Sequence, residues 1–483
     1  MHHPRWTRWL GDDRVATLGV FLIVGLFAIG AARPLIAASL IGFVLLALSS
    51  PRSAGAVLIS YVVFVPASLY GLAPGMLERP YDLYYMGTAQ LGVSIVELAI
   101  SALALVIVLR RVTGALPLQR TWFPVWPSLA FTAVYLGQFS LALARGIGPM
   151  AAANYYSCRL LFDSLLVAIC VIWLVRDEDR QRTMQLLVAC ITVRAVYGLG
   201  RLAFFGGDPQ NYYANFQHTD IAMSFWDPAD GAFMTLAALY SIGCLSAQRA
   251  RSILSRPMWL GLALLASACI ALTYRRSLVL GFGVALAALF VLRGLWKKPG
   301  WLLVPIVAVL VGVRGLLLRF ATSSLFGVLS ADSINHSGDL SGSRFLESAS
   351  AWTSVSHHLL LGRGLTGAYD PLPGFSPFAY TTIVHNTVLF IWLKLGVFGV
   401  AAVTWLFLSV VWHALRARKR LRSDLERLLL IDALLASLVV WLVDALFGTP
   451  LIDHRHVLAI GLWMGMILVA CRQPGGHAPD AVP

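Results

Sequence analysis

Two sets of residues in this chain could do chemistry. One is the pair His385–Asn386, which opens the run HNTVLFIWLKLGVFG, and the other is Arg275–Arg276, which opens RRSLVL. An imidazole at such a point can take a proton from a hydroxyl. Guanidinium groups can grip a phosphate-type anion with two parallel hydrogen bonds. Both sets stand where apolar runs begin, so each is expected at a helix N-terminus, where free N–H groups and the positive dipole end also favour anions. The same positive end disfavours an imidazolium, so the His385 ring is expected to be uncharged and ready to accept a proton. No carboxylate partner for it can be assigned from the spacing alone.

The helix that must position His385 has a distinctive face. At 100° per residue, Gly396 falls about 20° from His385 and Gly399 about 40° to the other side. Small residues on one face let a second helix approach closely in lipid. The plain alternative is a packing face with an incidental interfacial histidine. Lys394 points the opposite way, deep in the apolar run, where an unpaired charge costs about 2.5–3.5 kcal/mol. Glu97 is its expected partner, with Asp444 and Asp163 as alternatives.

The composition says what kind of elements these are. Of 483 residues, 58% are apolar and 12% charged, and the mean hydropathy is +0.76. Soluble domains carry about twice that share of charge. The chain reads as an all-α polytopic membrane protein, a single membrane domain over 1–483. Apolar runs occur near 15–32, 34–49, 55–74, 89–109, 126–144, 158–175, 184–204, 229–247, 257–274, 277–292, 301–318, 385–412, 428–447 and 457–471. They predict 12 to 14 transmembrane helices, the first retained because no cleavage site follows it.

Charge position orients them. With the N-terminus in the cytoplasm, the clusters Arg110/Arg111/Arg120, Arg176/Arg180/Arg182, Arg249/Arg251/Arg256, Arg293/Lys297/Lys298 and Arg416–Arg427 fall on one side. Both termini are then cytoplasmic. The net charge of +14 is therefore spent on orientation, and nucleic acid is not an expected partner. Two outer loops stand out, an aromatic one near 205–228 and a long one over 319–384, and loops of that length usually carry function. In the long loop, Phe345, Ala349, Trp352 and Leu359 form one helical stripe, with Ser343 as N-cap and Gly362 or Gly364 as stop. That is a short amphipathic helix suited to the bilayer surface. Arg275 and Arg276 lie at the same outer interface, and Arg201 near the outer end of its span could join them. Arginines at helix ends also simply snorkel to headgroups.

Other chemistries find little support. Six scattered cysteines show no paired spacing, and neither His357/His358 nor the DHRH run 453–456 gives a metal-ligand pattern. No phosphate-binding glycine loop and no nucleophile elbow is present.

At these residues the chain resembles the O-antigen ligase and polymerase superfamily of bacterial envelope glycosyltransferases. The motif H-[N/S/Q]-x9-G-x-x-[G/T/Y] is met by His385, Asn386, Gly396 and Gly399, and R-x3-L by Arg276 and Leu280. The long outer loop with Arg344, a tryptophan and GRGL is similar too, as is WDPADGAFMTL at 226–236. The likeness covers roughly 190–410.

The resemblance implies a GT-C-like membrane fold. It also implies metal-independent, inverting transfer of a glycan from undecaprenyl diphosphate on the periplasmic face of the inner membrane, with no cofactor. His385 would be the general base, and Arg276 would hold the donor diphosphate with Arg275, Arg201, Arg344 and Asn386 as further substrate contacts. Gly396 and Gly399 would serve helix packing. The acceptor would be lipid A–core for a ligase or another lipid-linked glycan for a polymerase, and the motifs are shared by both. The alternative from another class is a transporter or flippase of lipid-linked oligosaccharide. Transporters often show paired halves, whereas here the halves differ and the unusual charges gather at one interface.

Overall fold

A computed structural model describes residues 33–66, 84, 87–88, 93–114, 121–211, 222–247, 255–273, 275–295, 340–373 and 381–472, with backbone alone at 33–37, 155, 276 and 340–343. The fold is all-α. Among the described residues there are thirteen helices of fourteen residues or more: α1 (Arg33–Ser49), α2 (Pro51–Phe64), α3 (Ile95–Val112), α4 (Val125–Ala144), α5 (Leu161–Leu174), α6 (Arg180–Phe205), α7 (Pro228–Ser246), α8 (Arg256–Ala271), α9 (Arg276–Arg293), α10 (Leu340–Ser356), α11 (Thr387–Arg420), α12 (Leu425–Phe447) and α13 (His454–Ala470). One antiparallel two-residue pair, β1 (Gly87–Thr88) with β2 (Val93–Ser94), precedes α3. Twelve of the fourteen apolar runs coincide with helices, and the other two, 15–32 and 301–318, lie outside the described residues, as do Arg120, Arg249, Arg251, Lys297 and Lys298. Five helices, α4, α6, α7, α11 and α12, are long and apolar enough by themselves to cross a bilayer.

Local sequence starts these helices where it should. Ser94 and Glu97 form a capping box on α3, Asp227 caps α7 ahead of Pro228, and Asn386 caps α11. The core is built on α7 and α13. Every residue of α13 is buried, as expected for a helix apolar all round and enclosed by others. Its Gly461 and Gly465 let it lie against α5, where a Cβ on Gly461 would collide with the Ser164 carbonyl and one on Gly465 would come within 2.7 Å of the Val171 Cβ. The α9 helix meets α12 in the same way at Gly281, where a Cβ would come within 3.2 Å of the Val440 Cα.

Charge is also buried in this core, and one cluster of it is closely paired. Arg194 grips both oxygens of Asp230 at 3.0 and 2.9 Å, while Arg455 of α13 reaches Asp227 at 2.6 Å and Asp230 at 2.7 Å. The remaining donors go to the C-terminal carbonyls of α2: Arg455 to Val62 and Val63 at 2.8 Å each, Arg194 to Phe64 at 3.2 Å. Those carbonyls lack intrahelical partners and would otherwise be stranded. At the opposite end of the bundle the described basic residues gather. Arg418 and Arg293 share Asp432 at 2.6 and 3.5 Å, Arg427 meets Asp424 at 2.9 Å, and Arg472 donates to the Val175 carbonyl at 2.6 Å.

Replacing Gly461 with Leu should force α13 off α5 and lower the thermal midpoint of the detergent-solubilised protein, with an overpacking cost of about 1–3 kcal/mol. An unchanged midpoint would mean the two helices do not pack this closely.

Candidate active site

His385 precedes the Asn386 cap of α11, whose side chain accepts from Leu389 N–H at 3.1 Å. The imidazole is half-exposed, its side chain 44% accessible, and it rests on the buried carboxylate of Glu347 from α10. Glu347 Oε2 accepts from the His385 backbone N–H at 3.0 Å and lies 2.9 Å from Nδ1, and Oε1 lies 3.1 Å from Nδ1. A carboxylate facing Nδ1 places the proton of the neutral ring there and leaves the Nε2 lone pair directed outward. Near Glu347 lies the buried Tyr369. Burial and the adjacent carboxylate push that phenol up to about 12, so it remains a donor across the physiological range.

Neither Glu347 nor Tyr369 stands out in the sequence. The signal lies on the face opposite Phe345 and Trp352 on α10, where Glu347, Ser350, Ala351 and Ser354 recur at helical spacing and are all buried. Phe345 and Trp352 themselves are exposed, as an amphipathic helix requires. The boundaries differ from those expected: α10 runs Leu340–Ser356, so Ser343 lies inside it and Leu359 beyond it. The following loop folds back on the helix, Ser354 accepting from Asp370 N–H at 2.9 Å and Ser350 from Leu372 N–H at 3.1 Å, which brings Tyr369 over Glu347.

What docks α10 beside His385 is a break in α11. Gly396 has φ 68° and ψ −169°, a conformation that suits only glycine, and the ladder stops there. Segment 359–363 enters the gap. Leu359 O accepts from Val397 N–H at 3.0 Å and from the Trp392 indole at 2.8 Å, and Arg363 N–H donates to Leu393 O at 2.7 Å. Non-helical backbone survives at such depth because its freed groups are paired within the protein. A Cβ on Gly396 would run into the Leu360 carbonyl. The projection that sets Gly396 and Gly399 on the histidine's face therefore fails beyond residue 395, because the helix does not continue through Gly396. The close neighbour is a loop, and Gly399 is small because the bend swings Leu395 onto it.

Lys394, just before the break, is fully buried and donates to the Gly367 carbonyl at 2.6 Å. Its expected pairing with Glu97 is not made. Glu97 is held by Arg159 at 2.8 Å and His454 at 3.6 Å, and Asp444 accepts from Ser277 at 3.2 Å. The bend turns the ammonium toward the 357–373 loop, where a carbonyl meets it. In the DHRH run, Asp453 caps α13 and faces His456 at 3.2 Å.

The C-terminal carbonyls of α12 tie further residues to this end. Leu446 O accepts from the Asn386 amide at 3.3 Å, Phe447 O from Arg344 at 2.9 Å, and Gly448 O from Thr387 at 3.0 Å. One turn earlier, the Ser277–Asp444 hydrogen bond fixes the N-terminus of α9 to the same helix end. His385, Asn386, Arg344 and the start of α9 are thus joined through α12. The Arg276 side chain lies outside the described residues. Arg275 donates to the Trp226 carbonyl at 2.6 Å and lies 5.2 Å from that indole ring. Arg201 is turned inward, 2% accessible, with Asp208 at 2.5 Å and the Ser224 carbonyl at 2.7 Å.

Replacing Gly396 with Ala should expel segment 359–363. Proteolysis at Arg363 in detergent should then become at least several-fold faster than in the parent protein. Equal cleavage rates would show that the gap tolerates a side chain.

No curated protein matches the chain. The family model described as O-antigen ligase matches residues 261–404, a stretch holding α8 to α10 and the first half of α11 with Arg276, Arg344, Glu347, His385, Gly396 and Gly399. A multi-pass, all-α bundle of apolar helices organised around those residues agrees with that match, which supports glycosyltransferase activity of the ligase or polymerase type at the inner membrane. Over residues 261–404 this membrane protein is similar to the O-antigen ligase family.

Proposed function

We propose that the protein transfers a glycan from an undecaprenyl-diphosphate donor to an acceptor hydroxyl at the periplasmic face, with His385 as general base. The observation that carries this reading is the half-exposed imidazole whose Nδ1 is tied to Glu347, which leaves Nε2 as the only ring atom able to meet a substrate. Nε2 takes the acceptor proton as the acceptor oxygen forms a bond to the anomeric carbon. The bond from that carbon to the diphosphate oxygen breaks, and undecaprenyl diphosphate leaves with the electron pair. Attack opposite the leaving group inverts the anomeric centre. Positive charge at the leaving group lowers the barrier electrostatically. Because a diphosphate is already a good leaving group, arginine and a helix N-terminus serve without a metal.

Arg276, at the start of α9, is the proposed diphosphate ligand. The engagement of Arg275 by Trp226 favours its neighbour for that role. Arg344 lies one turn before Glu347 on α10 and would reach the donor or acceptor from the α12 side. Arg201, buried against Asp208 and the Ser224 carbonyl, suits holding those two residues together better than contact with a ligand. The end of the bundle rich in exposed basic residues would face the cytoplasm, with both termini.

Purified protein incubated with a lipid-diphosphate glycan, with and without lipid A–core, tests the reading. Elongation of core lipid marks a ligase, and growth of the donor alone marks a polymerase. His385→Ala should remain inserted and lose transfer by a factor of about 10²–10⁴; full activity would remove the base assignment. Arg276→Lys should also be strongly impaired, since a point charge does not replace a planar fork. Wild-type donor use by that variant would reduce Arg276 to a headgroup anchor.

A further inference from the structure

We infer that Glu347 is a positioning residue that locks His385 in the Nδ1–H tautomer and so decides which ring nitrogen acts as base. The inference rests on the proposed transfer reaction but adds a separate claim about the resting protein. A free imidazole interchanges its two neutral tautomers, and only the one with a bare Nε2 is useful here. Glu347 removes that ambiguity. Its carboxylate has no proton to give, so whatever faces it must donate, and the two donors it meets are the backbone N–H and Nδ1 of the same residue. Two-point attachment to one residue fixes both the ring's rotation and its tautomer.

The carboxylate is itself held. It is buried to about nine-tenths while the ring it orients is half open, the arrangement of a rigid support beneath a working group. Ser350 and Ser354 keep the loop carrying Tyr369 on α10, and Tyr369 N–H donates to the Thr381 carbonyl at 2.9 Å, four residues before His385. The support therefore touches both sides of the histidine. When the ring takes up a proton in the reaction, the same carboxylate faces the resulting imidazolium and stabilises it, while neither Glu347 nor Tyr369 needs to touch substrate.

Glu347→Gln keeps the size and removes the charge. With the amide oxygen on the His385 backbone N–H, its N–H₂ faces Nδ1 and favours the tautomer protonated at Nε2. The expected result is a kcat at least about 100-fold lower with the donor and acceptor KM changed by less than about threefold, as for a residue acting through another. Glu347→Asp should recover part of the loss. A raised KM at unchanged kcat, or near-parental kcat in Glu347→Gln, overturns the inference.

The decisive measurement needs no turnover. In parent protein carrying ¹⁵N-histidine, with His385 assigned by comparison with His385→Ala, Nδ1 should resonate as a protonated nitrogen and Nε2 as a bare one at a pH where the ring is neutral. The reverse pattern defeats the inference even in an active enzyme. Parent protein that shows the expected tautomer yet transfers no glycan defeats the proposed reaction and leaves the positioning role standing.

Discussion

The arrangement of this end of the molecule depends on one place where a helix is interrupted. At Gly396 the α11 ladder gives up its bonds, and the vacant donor and acceptor are taken by the backbone of residues 359 and 363. That exchange anchors the chain leaving α10, and α10 carries the carboxylate that meets His385 eleven residues before the break. A continuous α11 would have no opening for the 359–363 segment, and α10 would lose the anchor that segment gives it beside the imidazole. The fixed distance from histidine to glycine thus has a mechanical meaning: it is the length of helix between the working ring and the socket of its support.

Lys394 and Gln138 show how much of the bundle is recruited to that socket. The ammonium of Lys394 reaches the Gly367 carbonyl and the amide of Gln138, on α4, donates to the Leu361 carbonyl at 2.7 Å. Both are polar groups in apolar surroundings, and both end on carbonyls of one loop. In such surroundings an unpaired polar group is costly, so each bond is kept. The described part of the loop between α10 and α11 is accordingly held by three helices.

Much of this is legible in the sequence, and the parts that are not share a cause. The helices can be read because burial in lipid demands long apolar runs, and twelve of those runs reappear as helices. His385 and the start of α9 can be read because a polar residue at the mouth of an apolar run carries a desolvation cost that something must offset. The partners cannot. Glu347 lies 38 residues before His385 and looks like an ordinary acid on an amphipathic helix. Lys394 invites a carboxylate because charge suggests charge, whereas its partner is a main-chain oxygen that leaves no trace in residue type. The glycines project onto one face only along an ideal helix, and a positive φ at one of them cancels that projection.

The buried cluster of Arg194, Asp227, Asp230 and Arg455 has a bearing on how the protein is made. Asp227 and Asp230 lead into α7, near the middle of the chain, while Arg455 sits at the start of α13, close to its end. Until the ribosome has delivered α13, the two acids have only Arg194 between them, and the α2 carbonyls at 62 and 63 have no donor. Removing one partner of such a set costs about 3–5 kcal/mol. A chain halted short of Arg455 would leave Asp227 without that guanidinium and the α2 carbonyls at 62 and 63 without these donors.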